Sequence, residues 1–374
     1  MDDIWDIEAW DDFRRYFPDD YNGSRILFTS RVLDVSRHFR SHPLRFLNED
    51  ESWDLFSKRV FQEENCPTEL MEIGKQIAKK CQGLPLAIVV ISGLLKKTRP
   101  KTLEWWRHVA KRVSSYIVSD RDQYVDTLAL SYNHLPHHLK SCYLYFSAFP
   151  EDYEILVRKL VSLWIAEGFI HQIGQRLLED VAEGYLMDLI DRSLVLVVRR
   201  KSTGGIKSCG VHDLLHDLCL KKAEEENFLQ QICWYEEVSS SGFTADKQLF
   251  LPIAAKQRRL CVRSRIFGGI SSEFSAQHIR TFFYFGSEKN PIPPKDMSFI
   301  ERGFNLLTVL DLSSISTSHF PYSIARLALL RYLAIKGKKF HLPDNISEFQ
   351  YLETLFVSGE VYYLPTSVWK CWER

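Results

Sequence analysis

The stretch Cys209-Gly-Val-His-Asp-Leu-Leu-His-Asp-Leu-Cys-Leu220 divides the chain and decides how it folds. It gathers Cys209, His212, Asp213, His216, Asp217 and Cys219, the densest group of reactive side chains in the sequence. Two readings compete. Cys209-x-x-His212-x-x-x-His216-x-x-Cys219 has the residue types of a zinc site. On one helix, however, the outer two would stand ~15 Å apart at ~1.5 Å rise per residue, and tetrahedral ligands must converge within a few ångströms. Leu214, Leu215, Leu218 and Leu220 instead supply a core-facing stripe. The spacing therefore predicts a buried amphipathic helix beginning near His212.

Just upstream, Leu194-Val-Leu-Val-Val198 is a β-branched run, Lys201 to Gly205 a turn, and Ile206 to Val211 a return strand. Helices, then a hairpin, then a helix is the order of a winged-helix domain, placed here at 119–238. Residues 48–118 read as a helical bundle. Asn48 and Glu51 suit a capping box, with Trp53, Phe56 and Val60 on one face. Thr68 is expected to cap the next helix, which carries Leu70, Ile73 and Ile77 and ends at Lys79 and Lys80. Gly83-Leu84-Pro85-Leu86 then makes a tight corner, glycine closing one helix and proline opening the next.

Residues 1–47 look like the back half of an α/β domain. Asp2 and Asp3 stand first, a helix is expected around Trp10, Phe13 and Tyr16, and Arg25 to Thr29 suits a short strand ending in Thr29, Ser30 and Arg31. Polar groups at the carboxyl end of a buried strand are where such sheets hold ligands. A second strand is expected at Leu44-Arg-Phe-Leu47.

Downstream, over 239–374, the period changes. Leu307-x-x-Leu310-x-Leu312, Leu330-x-x-Leu333-x-Ile335 and Leu352-x-x-Leu355-x-Val357 align at steps of 23 and 22, and Pro321, Pro343 and Pro365 repeat at 22. This is the pattern of a leucine-rich-repeat solenoid. Ile279-x-x-Phe282-x-Tyr284 and Arg259-Leu-Cys-Val262 read as degenerate earlier turns. The array reaches Arg374 without a polar cap, and the α/β part lacks its front half, so truncation at both ends is expected.

Composition narrows the function classes. Lys plus Arg and Asp plus Glu are both 48, which argues against a general nucleic-acid or membrane-surface binder. Arg199, Arg200, Lys201 and Lys207 on the wing read as a solvated loop. The longest apolar run, Leu84 to Leu95, is too short to span a bilayer. The eight cysteines form no short-range framework, which points to reduced thiols and a cytoplasmic protein. His134, His137 and His138 read as loop residues rather than ligands. No G-x-x-x-x-G-K-[ST] phosphate loop occurs; the nearest look-alike, Gly204-Gly-Ile-Lys-Ser208, lies in the hairpin turn.

Together these residues resemble the plant nucleotide-binding, leucine-rich-repeat disease-resistance proteins, in their coiled-coil subclass and its late-blight-resistance-like members. Asp2-Asp3-Ile4-Trp5 is similar to the Walker B segment and Gly23 to Arg31 to the sensor strand. Gly83-Leu-Pro-Leu86 resembles the family's GLPL corner. Cys142 to Asp152 and Leu160 to Gly168 resemble its winged-helix segments, and Val211-His212-Asp213 its methionine-His-Asp motif with valine in the first place. The resemblance implies an ADP/ATP-gated switch with Mg²⁺, regulatory rather than enzymatic. Asp2 and Asp3 would serve Mg²⁺ and water, with Asp2 as the metal contact. Thr29 and Arg31 would face the γ-phosphate, Gly83, Leu84, Pro85 and Leu86 would lie near adenine, and His212 with Asp213 near the ADP phosphates. It also implies a pathogen effector or host guard protein as partner of the repeats, oligomerisation, and no nucleic-acid or integral membrane partner. Without a phosphate loop the main cradle is missing, so little bound nucleotide is expected. A nucleotide-free remnant that binds proteins through its repeats and winged helix is the alternative.

Overall fold

The computed structural model describes residues 4–62 with breaks at 5–6, 18–22, 31, 33–34 and 36. It then describes 66–97, 102–114, 122–234, 257–264, 277–286, and 300–365 with breaks at 301–302, 318–319, 321, 343, 345, 347–348 and 364. The chain divides into two compact units, Met1–Asn48 and Glu49–Arg374.

In the first unit, helix α1 (Ile7–Arg14) buries Trp10 with Ile4 and Val35. Trp10, Phe28 and Phe39 meet with ring centroids 4.8–5.3 Å apart, largely edge to face. The expected strand at 25–29 is an extended segment held at one rung, where Ile4 N donates to Thr29 O at 2.9 Å. Ser30 Oγ donates to Ile4 O at 2.6 Å. The strand expected at Leu44–Leu47 does not form; Leu44 and Phe46 are exposed. An alternating apolar run becomes a strand only when a neighbouring strand completes a ladder with it, and this segment belongs to neither sheet.

The second unit opens with α2 (Glu49–Phe61), α3 (Thr68–Lys80), α4 (Pro85–Lys97) and α5 (Leu103–Ser114). Phe56, Phe61 and Trp106 form its aromatic centre. Gly74 on α3 leaves room for this cluster: a Cβ there would come 2.7 Å from the Trp53 ring. Thr68 is the first helical residue and not a cap; Pro67 takes the N-cap position and no side chain caps it. Gly83 does close the turn, with φ +74, and α4 starts at Pro85 as the corner predicts.

The winged-helix block follows: α6 (Asp122–Asn133), α7 (His137–Leu144), a 3₁₀ turn Tyr145–Ala148, β1 (Ile155–Leu156), α8 (Val157–Ala166), α9 (Leu178–Asp191), β2 (Leu196–Arg200), β3 (Ile206–Gly210) and α10 (Asp213–Glu225). The antiparallel sheet runs β1-β3-β2. Leu194 and Val195, expected in the hairpin, are buried in the core just before β2.

Six parallel strands complete the unit in chain order: β4 (Gln230–Trp234), β5 (Arg259–Ser264), β6 (Thr281–Gly286), β7 (Val309–Thr317), β8 (Tyr332–His341) and β9 (Thr354–Tyr363). The repeat alignment holds as register. Leu260, Phe282, Leu310, Leu333 and Leu355 pair across the sheet, and the degenerate turns pair with the regular ones. One correction concerns the boundary: β4 precedes 239 and lies in this sheet, not in the winged-helix block. It follows α10 so closely that sequence reading kept it with the helix.

The sheet has two buried faces. Leu260, Val262, Phe282, Tyr284, Leu310, Leu312, Leu333 and Ile335 share one core with Ile324, Ile346 and Leu352. The alternate residues Cys261, Phe283, Val309, Tyr332 and Ala334 join the winged-helix core with Phe149, Leu160 and Trp164. Alternation along a strand sends successive residues to opposite faces, so one repeat pattern feeds both cores.

Candidate functional site

The stretch from Cys209 to Leu220 folds as strand, two-residue link and helix. β3 ends at Gly210, and His212 is the N-cap of α10 with extended φ −66 and ψ 143. Its Nδ1 accepts from Leu214 N–H at 3.3 Å, which leaves the proton of the neutral ring on Nε2. His212 O accepts the first helical bonds from Leu215 N and His216 N, both at 2.8 Å. Asp213 fills the first turn, where a carboxylate complements the positive helix end. His212 is exposed and Asp213 half-buried.

Cys209, His216 and Cys219 turn inward, whereas Asp217 is exposed. His216 Nε2 donates to Phe149 O at 2.9 Å. Cys219 Sγ donates to Tyr143 O at 3.5 Å, and Tyr143 Oη donates to Leu215 O at 3.2 Å. Cys209 lies in β3 opposite Val197 and Ile155. Burial pushes the Cys209 and Cys219 thiols up to about 12, far from a metal-binding thiolate. Among the described residues no group of three or more His, Cys, Asp or Glu is placed to hold a metal. The helical reading of the spacing is the one the structure adopts.

Gly83, Leu84, Pro85 and Leu86 lie in the same unit. Gly83 is buried and Pro85 exposed. Leu86, Val211 and Leu214 all pack on the same core, so the corner and the His212 link share a foundation. Thr29 lies in the first unit, exposed, with its carbonyl bonded to Ile4. Asp2, Asp3 and Arg31 lie outside the described residues. Sequence reasoning missed Lys159 and Asp311, a buried ion pair at 2.7 Å. Asp311 stands between Leu310 and Leu312 and Lys159 beside Arg158, and each reads as solvent-facing until its partner is seen.

The residues present fit a nucleoside diphosphate only at its margins. His212 Nε2–H can donate to an anion, but the amides of Leu214, Leu215 and His216 are already taken by His212 Nδ1 and O. Nothing described supplies a phosphate cradle: the one glycine-rich run ending in lysine is the β2–β3 turn, closed by Lys201 N to Gly205 O at 2.7 Å.

Comparison with known proteins agrees with this architecture. Residues 148–219 match the disease resistance protein winged helix domain, and residues 1–66 match the NB-ARC domain. The chain thus carries a segment similar to each of these two domains and is similar to plant disease resistance proteins. Its relatives include three proteins of Solanum demissum. The putative late blight resistance protein homolog R1B-12 is 47% identical over 247 residues, 65% of this chain and 18% of that protein. The putative homolog R1B-16 is 46% identical over 234 residues, 61% of this chain and 18% of its own length. The late blight resistance protein R1-A is 47% identical over 234 residues, again 61% and 18%. The chain thus spans about a fifth of the length of these relatives. No helix among the described residues is long and apolar enough to cross a membrane.

Proposed function

We propose that this chain is part of a cytoplasmic plant immune receptor whose winged helix reports nucleotide state to a leucine-rich-repeat array. One observation carries the reading. The segment matching the disease-resistance winged helix takes in His212 and Asp213, seated where β3 hands over to α10. In this reading His212 and Asp213 face the phosphates of ADP, and Gly83 to Leu86 face its base. Asp2, Asp3, Thr29 and Arg31 belong to the Mg²⁺ and γ-phosphate side, and the role is regulatory rather than metabolic. The parallel strands, with β7 to β9 at the leucine period, are the repeat array. A pathogen effector or a host guard protein is its partner class, and oligomerisation follows release of the switch.

The test is direct. Purified full chain is denatured and the supernatant assayed for adenine nucleotide, with and without prior incubation in Mg²⁺ and ADP. Retention of ADP in stoichiometric amount, lost in His212→Ala, supports the switch. Its absence under both conditions leaves the second reading, a nucleotide-free module that binds proteins through the array and winged helix. The missing phosphate loop favours that second outcome for the chain alone.

A further inference from the structure

The wing carries a motif that neither nucleotide nor repeats account for. Arg199-Arg200-Lys201-Ser202 places two guanidiniums third and second before a serine hydroxyl. Protein kinases tell substrates apart by charge pattern, and paired arginines suit a groove lined with carboxylates, each docking by charge-assisted hydrogen bonds. A related run, Lys111-Arg112-Val113-Ser114, closes α5. There Val113 is buried at 4% exposure, so the run is held on its helix against the core. Phosphoryl transfer needs the hydroxyl in line with the γ-phosphorus inside the kinase cleft, and a helix packed along one side cannot enter it.

The wing segment can. β2 is an outer strand of its sheet, so one of its edges has no ladder among the described residues. Leu196, Val198, Arg199 and Arg200 are exposed, and Val197 is half-buried. Lys201 to Gly205 are all exposed. The ladder is irregular beside the turn, with register shifts between Val197 and Arg199 and between Arg199 and Arg200. Two backbone bonds close the turn, Lys201 N to Gly205 O at 2.7 Å and Gly204 N to Lys201 O at 3.0 Å. Straightening the tip costs those two bonds and uncovers no core residue. Arg199 pairs with Glu154 at 2.5 Å, but the arginine side chain is 62% exposed, and so open a pair exchanges readily for another carboxylate.

We propose that Ser202 is a phosphorylation site for a serine/threonine protein kinase that selects basic substrates. Ser202 Oγ gives up its proton and bonds to the γ-phosphorus of ATP. The bond from that phosphorus to the β–γ bridging oxygen breaks, and ADP leaves. The phosphate brings about two negative charges to the tip. Four cations surround it in sequence, Arg199, Arg200, Lys201 and Lys207, and among the described residues Arg199 is the one of the four with an ion pair. Phosphate oxygens pair with these side chains and tighten the turn. A cationic tip thereby becomes a neutralised and ordered one, whether or not the chain holds nucleotide.

Full chain incubated with ATP, Mg²⁺ and the catalytic subunit of cyclic-AMP-dependent protein kinase tests this, the phosphate being mapped by peptide mass spectrometry. One phosphate on Ser202 is expected, and Ser202→Ala should lose it. Arg199→Gln and Arg200→Gln should each slow incorporation by about tenfold, the worth of one hydrogen bond to a charged group. Lys201→Gln, which removes a cation outside the arginine pair, should leave the rate little changed. In the phosphorylated chain, phosphorus NMR should place the second ionisation of the phosphate below its value in the isolated peptide 196–208, because the wing cations favour the dianion. No incorporation, phosphate on Ser114 or Thr203 instead, or arginine variants that react like the parent would overturn the proposal. So would Lys201→Gln slowing the reaction as much as the arginine changes, and an ionisation equal to that of the peptide would overturn the pairing with the wing.

Discussion

His216 shows how one side chain can tie folding to acidity. Its ring is buried at 4% exposure, and its Nε2 donates to the carbonyl of Phe149, which also accepts from Arg263. Burial lowers its proton affinity below the ordinary 6.5; the Phe149 bond opposes this, Arg263 adds to it, and Asp217 and Asp213 oppose it. The unfolded chain therefore binds this proton at a higher pH than the folded one. The stability contributed by neutral His216 is complete above about 6.5 and declines as pH falls below it, by at most ~1.4 kcal/mol per pH unit. Urea melts of the full chain between pH 7 and 5 should show that slope, and His216→Asn, which cannot take up a proton, should flatten it. Sequence alone placed His216 on the helix but could not supply Phe149, which is distant in the chain. The same limit hid Lys159 and Asp311.

At the scale of elements, periodic segments were legible and pairing partners were not. Leucine spacing marked β5 to β9 and their register in advance, because aligned repeats pair like with like, whereas β4 carries no such spacing and was missed. The α4 corner was equally legible, since Gly83 and Pro85 each have one backbone preference that fits it. The two-residue strand β1 carries no period of its own and exists only because β3 accepts it. Leu44–Leu47 had the period but joined neither sheet, so it stayed irregular. Gly359 gives an element-scale prediction. It lies in β9 opposite Gly337 with φ +89, and a Cβ would run into the Gly337 carbonyl. Gly359→Ala should destabilise the β8–β9 pair by ~1–3 kcal/mol. Exchange of the β8 and β9 amides should rise while α8 stays protected; unchanged β9 exchange would contradict the strain.

For the molecule as a whole, the two-unit division sets what unfolds together. One core runs from Val90 on α4 through the winged helix to Cys261, Phe283 and Tyr332 on the sheet. Residues 49–363 are therefore expected to melt as one cooperative transition, with Met1–Asn48 free to melt apart. Tryptophan fluorescence, to which buried Trp106 and Trp164 contribute, should track the main far-ultraviolet transition; separate midpoints for the two would refute a single transition. The domain classes could be read from order and spacing in the sequence. Which face of the sheet is already covered could not, because that depends on alternate residues far apart in the chain.

Helix α10 has a consequence of its own. Its carboxyl end closes with Asn227 at φ +50 and Phe228 N donating to Ala223 O at 2.7 Å, a turn that leads into β4 without slack. Thirteen helical residues at ~1.5 Å each make a rod of ~20 Å from His212 to the edge strand of the sheet. A push on the imidazole end arrives at β4 as displacement rather than as bending. A ligand at His212 that shifted this rod would alter what β4 can bind, and a partner at β4 would then alter binding at His212 by the same factor.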